Sequence, residues 1–565
     1  MARAANHTAE FDAIVVGSGI TGGWAAKELT EQGLKVLMIE RGPMIEHQNY
    51  AHETTAPWEL PFGGYGDPDL IARDYTIQSK GRGFSEWTLQ HFVNDRENPY
   101  ETGGEQPFQW RRGYQLGGRS LIWGRQCYRW SDLDFEANGK DGYGTDWPIR
   151  YKDLAPWYDK VEEFIGVQGS IEGLPQLPDG HFLPPMAMNA VEIHAKSKIE
   201  QAFPDRKFIM GRAANLTEEK EGRSACQYRG ICSRGCSYGA YFSTQSSTLP
   251  AARATGRLTI LGDSVVDKLD YDAQTRRVTG VEVISTKDRE RSRHTARIVF
   301  LCASSFNSVA VLLRSASEAH PHGLANSSGA LGHYIMDHAG SVTAIGLIPG
   351  FEEHAYFGNR PNNIVIPRFK NLDGKQEAFV RGYSFQGGAS RTGWTRGAKQ
   401  AGIGASLKED LRGPGPWQLF LGAFAECLPR RENRVTLSKS AVDSLGMAQL
   451  RIDFAYGENE KLAMKDAAGE AKAMLELLGA RVVRLTDEPD AGGSSVHEMG
   501  GARMGRDPSS SVLNGRNQAH DVANLFITDG SAMASSACQN PSLTYMALTA
   551  RACHTAASML KEGTI

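Results

Sequence analysis

The chain has 565 residues, enough for a large core and more than one domain. Its 62 Lys and Arg against 65 Asp and Glu leave a formal charge of −3, which indicates neither a nucleic-acid partner nor an acidic membrane surface. Eight cysteines are too few for a disulfide scaffold, and no apolar run reaches the roughly 18 residues of a membrane span. The first strand-like run begins at residue 11, so we expect no export signal in this chain.

The N-terminal stretch FDAIVVGSGITGGWAAKELTEQGLKVLMIERG predicts a strand, a turn, a helix and a second strand. The apolar, β-branched run 13–16 is typical of a buried parallel strand. A helix-like stretch at 20–31 ends at Gly33, and a second apolar strand at 34–39 ends at Glu40. A unit of this kind is the frame of a dinucleotide-binding domain.

The turn of this unit carries a G-x-G-x-x-G pattern at Gly17, Gly19 and Gly22. Gly17 permits the tight turn, Gly19 lets the backbone approach a pyrophosphate, and Gly22 lets helix and strand pack closely. Glu40 lies 18 residues after Gly22 and can accept both hydroxyls of an adenosine ribose, with Arg41 as a neighbouring contact. The stretch predicts dinucleotide binding and leaves FAD and NAD open.

Four later stretches distinguish these cofactors. They are GYQLGGRSLIWG at 113–124, RIVFLCASSFNSVAVLLRS at 297–315, SSVHEMGGARMGRDP at 494–508 and NLFITDGSAMASSACQNPSLTYMALTARAC at 524–553. Together they resemble the glucose-methanol-choline (GMC) family of FAD oxidoreductases. The resemblance extends over nearly the whole chain, through DWPIRYKDLAPWYDKVEEFIGV at 146–167, LGHYIMDHAG at 331–340 and RRENRVTLS at 430–438.

The resemblance implies an α/β fold, in which a Rossmann-type FAD-binding domain adjoins a substrate-binding domain built on a mainly antiparallel sheet covered by helices. The FAD contacts that it implies, beyond the first turn, are Gly117, Gly118, Ser120, Trp123, Gly124, Val266 (through its backbone, at adenine), Asp529, Gly530, Asn540 and Thr544. Some relatives attach the flavin through a histidine just before the tryptophan of the second glycine loop. That position is Ile122 here, so we expect non-covalent FAD.

Alcohol oxidation removes a hydroxyl proton and a carbinol hydride, and the hydride goes to the flavin. The protein must supply a base of near-neutral pKa, and histidine fits. The resemblance implies His497 as this base, with Asn540 as its partner on the substrate hydroxyl. We interpret His338, in MDHAG, as a structural residue or one at the flavin rim.

Because the flavin motifs are split along the chain, we predict a discontinuous FAD domain. The predicted segments are 1–48, 112–130, 240–335 and 490–565 for the FAD domain, 49–111 for a lid or partner-contact region, 131–239 for a connecting segment, and 336–489 for the substrate-binding domain. Within the last, QLFLGAFAEC and RVTLS predict a sheet, and 460–479 predicts a helix that covers it. EHAYFGNRPNN and GGASRTGWTRG predict long loops at the pocket rim.

Three of the cysteines, Cys226, Cys232 and Cys236, lie close together in CQYRGICSRGC. An odd number of thiols disfavours disulfides, and structural zinc would need a fourth ligand, while the nearest histidine is 32 residues away. Closely spaced thiolates in a glycine-rich loop suit an iron–sulfur cluster, and three ligands match a [3Fe-4S] cluster. Three unrelated buried cysteines are the alternative.

The cysteine segment resembles the cluster-binding stretch of bacterial FAD-dependent sugar dehydrogenases, including glucoside 3-dehydrogenases. The resemblance implies that electrons leave through the cluster to a cytochrome c partner, and that a small companion subunit supplies a twin-arginine signal. The implied location is the periplasm, with the cytoplasm as the alternative. The expected reaction oxidises a ring hydroxyl to a keto sugar, with C3 of glucose or glucosides preferred and C1 next. A pyranose or C-glycoside oxidase using dioxygen, a lyase of the same fold and a non-catalytic flavin-binding subunit are alternatives.

Overall fold

The structure is a computed structural model that describes residues 10–50, 52–81, 83–104, 106–372 and 377–565. Its strands are β1 (Phe11–Val16), β2 (Val36–Ile39), β3 (Glu101–Gly103), β4 (Ile209–Met210), β5 (Leu258–Leu261), β6 (Ser264–Asp272), β7 (Arg277–Ser285), β8 (Arg291–Leu301), β9 (Ala339–Ile348), β10 (Ile364–Ile366), β11 (Tyr383–Arg391), β12 (Trp417–Ala425), β13 (Arg434–Val442), β14 (Ala448–Asp453), β15 (Arg481–Leu485) and β16 (Leu525–Ile527).

Its α-helices are α1 (Ile20–Glu31), α2 (His47–Tyr50), α3 (Pro68–Asp74), α4 (Asp132–Phe135), α5 (Ala137–Asp141), α6 (Tyr151–Ile165), α7 (Ala190–Ala202), α8 (Leu249–Ala254), α9 (Ser305–Arg314), α10 (Gly404–Arg412), α11 (Glu458–Leu477) and α12 (Ser542–Lys561). Within the described ranges, none of the helices is long and apolar enough to cross a membrane.

The first sheet is built around β1, which pairs in parallel with β2 on one side and β8 on the other. β5 extends the sheet beyond β2, and β16 pairs in parallel with the end of β8. The hairpin of β6 and β7 joins β8 antiparallel. Because β1 is flanked on both sides and covered by helices, its apolar run is almost fully buried, as in other doubly wound sheets.

Helix α1 follows β1 and is buried from Thr21 to Thr30, because it lies between the sheet and helices α8 and α12. Its bounds are those that the sequence predicts, whereas β2 starts at Val36, two residues later than predicted. Trp24 packs edge-on against Phe164 of α6, with ring centroids 5.3 Å apart. This packing fixes the N-terminus of α1 relative to the turn that precedes it.

The second sheet is antiparallel, in the order β15-β9-β12-β11-β10-β4. Helix α11 covers it with buried side chains that include Met464, Ala467 and Ala471. The predicted fold class is therefore confirmed. The prediction of a loop at GGASR is wrong, because residues 387–391 belong to β11. A Cβ at Gly387 would lie 2.1 Å from the carbonyl oxygen of Phe420, so this glycine serves a close strand approach and not a turn.

Candidate active site

A cavity of about 920 Å³ lies between the first and second sheets. The turns that follow β1, β8 and β16 form one wall, where the carboxyl ends of parallel strands meet. Phe420, Gly422 and Phe424 of β12 form the opposite wall. Residues 80–81, 83, 92 and 109–114 complete the lining, so the region between the first and second glycine loops also encloses the cavity.

The three glycines of the first turn have different surroundings. Gly17 has φ +96°, and a Cβ there would lie 2.5 Å from the carbonyl oxygen of Cys302. A Cβ at Gly22 would lie 1.9 Å from the carbonyl oxygen of Gly17, so α1 packs directly on the turn. A Cβ at Gly19 would meet nothing within 4 Å, and this glycine lines the cavity. Gly17 and Gly22 thus lie at close backbone contacts, whereas the approach of Gly19 to a pyrophosphate stays a prediction.

Glu40 and Arg41 line the same end of the cavity. One carboxylate oxygen of Glu40 accepts from the backbone N–H of Ser18 (3.1 Å) and from its hydroxyl, and the other accepts from the N–H of Gly42 (2.9 Å). Burial raises the pKa of Glu40, while the bond from the Ser18 hydroxyl lowers it. The Arg41 guanidinium donates to Asp443 (2.8 Å). Both side chains are therefore held in place at the predicted ribose end.

In the second glycine loop, Gly118, Ser120, Trp123 and Gly124 line the cavity, as does Ile122. The Trp123 indole N–H donates to the carbonyl of Phe242 (2.8 Å). Gly117 is not part of the lining. Its N–H donates to the hydroxyl of Ser18 (2.9 Å), which ties the second glycine loop to the first.

Val266, Asp529 and Gly530 also line the cavity. Asp529 accepts from the Ser308 hydroxyl (2.5 Å) and from the N–H of Ser531 (3.0 Å), and burial raises its pKa. Thr544 lies outside the lining; its hydroxyl bonds that of Tyr158 (2.8 Å).

The cavity fits an anionic dinucleotide such as FAD. Arg111 and Arg112 line it, and buried nitrogens of both guanidiniums have no hydrogen-bond partner within the described part of the chain. A buried guanidinium N–H without a partner indicates a missing acceptor, and a phosphate or a flavin carbonyl would supply one. Gly19 and Gly124 leave open space at the wall, because a Cβ at either would meet nothing within 4 Å.

The predicted base and its partner both lie at this cavity and contact each other. The amide nitrogen of Asn540 lies 3.1 Å from His497 Nε2. On its other side, His497 Nδ1 lies 2.8 Å from Nδ1 of His338. His338 Nε2 lies 3.1 Å and 3.0 Å from the carbonyl oxygens of Ser536 and Ala537. His338, which the sequence interpretation placed in a structural or rim role, is thus a buried neighbour of the predicted base.

Both imidazoles are neutral at pH 7. Burial lowers the pKa of His497 well below 6.5, and its neighbours His338 and Arg119 disfavour a proton on it further. Burial lowers the pKa of His338 to about 4. A neutral imidazole at the cavity is able to accept a proton, as the predicted role of His497 requires, but burial places its pKa below the near-neutral value expected from the sequence.

Asp337 fixes the turn that carries His497. Its carboxylate accepts from the backbone N–H groups of Gly493 (2.8 Å), Ser495 (3.2 Å) and His497 (2.9 Å). Burial raises the pKa of Asp337 to about 7, and the nearby Glu498 carboxylate raises it too. The only signal for Asp337 and His338 in the sequence is their place in the MDHAG motif.

Two further contacts were not predicted. Glu498 pairs with Arg119 of the second glycine loop at 2.6 Å. Gln386 of β11 donates from its amide nitrogen to the amide oxygen of Asn540. Neither residue lies next to a partner in the sequence, so no local pattern indicates these pairs.

The three clustered cysteines line a second, small cavity of about 20 Å³. The Tyr228 N–H donates to the sulfur of Cys226 (3.4 Å), and Arg229 donates to that of Cys236 (3.8 Å). Over the described ranges, however, no three His, Cys, Asp or Glu side chains stand close enough together to hold a metal ion. The three predicted cysteine ligands thus line one cavity, but their side chains are not arranged to bind one metal ion together.

Hydrogen bonds at Tyr241 and Phe242 connect the thiol cavity with the second glycine loop. Tyr241 lines the thiol cavity, and its hydroxyl donates to the carbonyl of Leu121 in the second glycine loop (2.9 Å). The next residue, Phe242, accepts the Trp123 bond, and Trp123 lines the large cavity.

The fold and the cavity together indicate a dinucleotide-dependent oxidoreductase, with His497 and Asn540 in contact at the cavity wall. The chain belongs to the GMC oxidoreductase family: residues 11–340 match the N-terminal model of that family and residues 429–549 the C-terminal one. The family and the FAD cofactor implied by the sequence resemblance are therefore confirmed.

Two curated relatives align with nearly the whole chain. The chain is 29% identical to a 2-methyl-1,2-propanediol dehydrogenase of Mycolicibacterium austroafricanum, over 96% of this chain and 94% of the relative. It is 26% identical to the fructose dehydrogenase large subunit of Gluconobacter japonicus, over 99% and 100%. A formate oxidase structure from Aspergillus oryzae superimposes with a TM-score of 0.64 at 12% identity, over 98% of this chain and 99% of that one, which shows the shared fold.

Proposed function

We propose that the protein is an FAD-dependent sugar dehydrogenase that oxidises a ring hydroxyl to a ketone. The observation that carries this proposal is the contact between the neutral imidazole of His497 and the amide of Asn540 at the wall of the cofactor cavity. FAD, when bound, accepts the hydride at flavin N5. We further propose that it binds without a covalent link, since Ile122 offers no nucleophile; acid precipitation should then leave the flavin in the supernatant.

The residues of the chain supply the proton chemistry. His497 Nε2 takes the proton of the substrate hydroxyl, because it is the ring nitrogen that faces Asn540 and the cavity. The Asn540 amide nitrogen donates a hydrogen bond at the same point, so it holds the hydroxyl oxygen and orients the carbon that loses hydride. Gln386 holds the amide oxygen and thereby fixes which end of Asn540 meets the substrate.

The lining beside this pair suits a hydroxyl-rich ligand. Gln386 contacts Asn540 through its amide, Gln126 and Asn363 also line the cavity, and Phe420 and Phe424 line it from β12. A small number of placed polar groups on an apolar wall is the usual design of a small-molecule site. A relative that is a fructose dehydrogenase and one that is a diol dehydrogenase support an alcohol or sugar substrate. The preference for C3 of glucose or glucosides, with C1 next, rests on the sequence resemblance.

For the exit of electrons, we propose that Cys226, Cys232 and Cys236 hold a [3Fe-4S] cluster. Their shared cavity and the two donors at their sulfurs support the proposal, although the thiols must turn toward one another to bind iron. Such a cluster supplies one-electron transfer. The further proposal is a cytochrome c acceptor, with a small companion subunit whose twin-arginine signal brings the enzyme to the periplasm.

His497→Ala tests the base. The variant should retain FAD but lose anaerobic reduction of the flavin by D-glucose and methyl β-D-glucoside, while His322→Ala, at an exposed histidine, should behave as the wild type. Unchanged reduction in His497→Ala would exclude His497 as the base. NMR of the products identifies the oxidised carbon, and peroxide formation at the rate of turnover would favour the oxidase alternative.

Iron and sulfide analysis of anaerobically purified protein tests the cluster. Cys232→Ala should lose iron and bleach the broad absorbance beyond the flavin bands, whereas Cys553→Ala, at a buried cysteine outside the loop, should keep both. Wild-type protein without iron and sulfide would refute the cluster proposal and leave the flavin chemistry untouched.

A further inference from the structure

The hydrogen-bond chain behind His497 assigns its protons one by one. It starts at His338 Nε2, which lies within 3.1 Å of the carbonyl oxygens of Ser536 and Ala537. A carbonyl oxygen only accepts, so His338 Nε2 must carry a hydrogen. His338 is fully buried and neutral, so its Nδ1 has a lone pair and no hydrogen.

The assignment then passes to His497. Its Nδ1 lies 2.8 Å from Nδ1 of His338, and two lone pairs cannot face each other at that distance. His497 Nδ1 therefore carries the hydrogen and donates it, which leaves a lone pair on Nε2. The contacts of His497 on the cavity side lead to the same assignment. Gln386 donates to the amide oxygen of Asn540, so the amide nitrogen of Asn540 faces His497 Nε2 and donates to it.

We infer that His338 is a positioning residue of the active site, which holds His497 in the Nδ1–H tautomer and so keeps the basic nitrogen, Nε2, directed at the substrate. This inference rests on the proposed role of His497 as the base. In the other tautomer Nε2 would carry a hydrogen and could take no proton from a hydroxyl.

The surroundings of His338 keep its ring in place. Its ring is edge-on to that of His497, with centroids 4.9 Å apart, and 6.1 Å from the ring of Phe424. Its carbonyl oxygen accepts from the hydroxyls of Tyr456 (2.9 Å) and Ser495 (2.9 Å). With both ends of the residue fixed, the ring cannot turn its Nε2–H away from the two carbonyl oxygens without leaving an unpaired buried donor.

A neutral partner also has a consequence for turnover. When His497 takes the proton, its Nδ1–H still donates to an uncharged acceptor. A carboxylate in the place of His338 would stabilise the imidazolium and raise the pKa of His497. An imidazole partner orients the base without raising the pKa of His497, which favours release of the proton after each turnover.

Two substitutions separate positioning from packing. In His338→Gln, the terminal amide takes the place of Nε2 and can donate to the two carbonyl oxygens, but nothing replaces the acceptor at Nδ1. In His338→Asn, the side-chain oxygen takes the place of Nδ1 and can accept from His497. With FAD binding unchanged, we expect His338→Gln to slow flavin reduction by D-glucose or methyl β-D-glucoside about 100-fold, within the ~10²–10⁴ contributed by general-base catalysis. His338→Asn should recover most of that loss.

The pH dependence adds a second readout. In His338→Gln the remaining rate should lose the acidic limb that titrates His497, while His338→Asn should keep it. Equal losses in both variants, or wild-type rates in both, would overturn the inference.

The tautomer is also measurable in the unmodified holoenzyme. With ¹⁵N-labelled histidine, the His497 signals, assigned by their loss in His497→Ala, should show a protonated Nδ1 and an unprotonated Nε2 at pH 7. The reverse pattern would overturn the inference even if the variants fail to fold. If His497→Ala still reduces flavin, the proposed base is wrong, while the ¹⁵N spectrum still decides what His338 does.

Discussion

Replacing Gly22 with alanine should push helix α1 off the turn on which it packs. The added Cβ would lie 1.9 Å from the carbonyl oxygen of Gly17, and real Cβ atoms essentially never come within 3.0 Å of such an atom. The helix must therefore move by about 1.1 Å, although it is buried along most of its length. Overpacking of this kind costs about 1–3 kcal/mol, and a backbone oxygen cannot rotate away, so the upper end applies. After a gain of about 1 kcal/mol from the helix propensity of alanine, a net loss near 2 kcal/mol remains.

Gly19→Ala is the matched control. Gly19 has φ −65° and ψ −162°, an extended conformation open to alanine, and its Cβ would meet nothing within 4 Å. The free energy of unfolding of the apoprotein should stay within about 0.5 kcal/mol of the wild type. The new methyl group would occupy the approach to the pyrophosphate, and we expect FAD affinity to fall at least tenfold, or about 1.4 kcal/mol.

Urea unfolding of the apoproteins and FAD titration followed by flavin fluorescence measure both quantities. Both variants should bind FAD more weakly, and only Gly22→Ala should unfold at lower urea. Wild-type unfolding of Gly22→Ala, or wild-type FAD affinity of Gly19→Ala, would refute the division of roles between the two glycines.

Three more predictions concern pH and the cysteine loop. The rate of flavin reduction should stay level as pH falls to 6.5 and decline only at lower pH, because burial holds the pKa of His497 well below 6.5; stopped-flow decay centred at or above 6.5 would contradict this. Burial lowers the pKa of His91 from 6.5 to about 4. Between these two pH values the unfolded state binds more protons than the folded state, so the free energy of unfolding falls as the pH drops. The wild type should lose roughly 2 kcal/mol of unfolding free energy between neutral pH and pH 5. Denaturation curves at these two pH values should show no such loss for His91→Leu. Glu53 accepts hydrogen bonds from Arg229 and from the hydroxyl of Ser237 (2.8 Å) in the cysteine loop. Glu53→Gln should therefore speed proteolysis between residues 222 and 239, whereas Glu59→Gln, at a carboxylate that bonds Ala56, should not. Equal cleavage rates in the two variants would be evidence against the contact.

The cofactor end of the molecule was predictable because its signal is local. Gly17, Gly19, Gly22 and Glu40 lie within one β-α-β unit, so spacing alone defines their geometry. The alternation in β12 and the apolar periodicity of α11 are local in the same sense. Dinucleotide binding follows from local patterns of this kind, whereas the choice of FAD came from the family resemblance of four stretches spread along the chain.

The contacts among the active-site residues were not predictable, because the residues come from segments far apart in the sequence. His338 and His497 are 159 residues apart, and Gln386 and Asn540 are 154 apart. Each meets its partner only after both sheets have formed. The loop predicted at residues 387–391 failed for another physical reason: glycine marks a turn in most sequences, whereas at Gly387 it serves a backbone approach across β11 and β12.

The pairing of β1 has a consequence for how the protein is made. Phe11 lies opposite Ala296 in the first sheet, and β16, Asp529 and Asn540 come from the last part of the chain. At ~5–20 residues per second, the ribosome needs roughly 15–60 s after making β1 before β8 emerges to flank it. Until then one edge of β1 stays open, and the wall of the cofactor cavity is incomplete until residues 529–540 have left the ribosome. We therefore expect FAD insertion to follow the synthesis of residues 529–540, and the open edge of β1 to remain available for wrong strand pairing until β8 has been made.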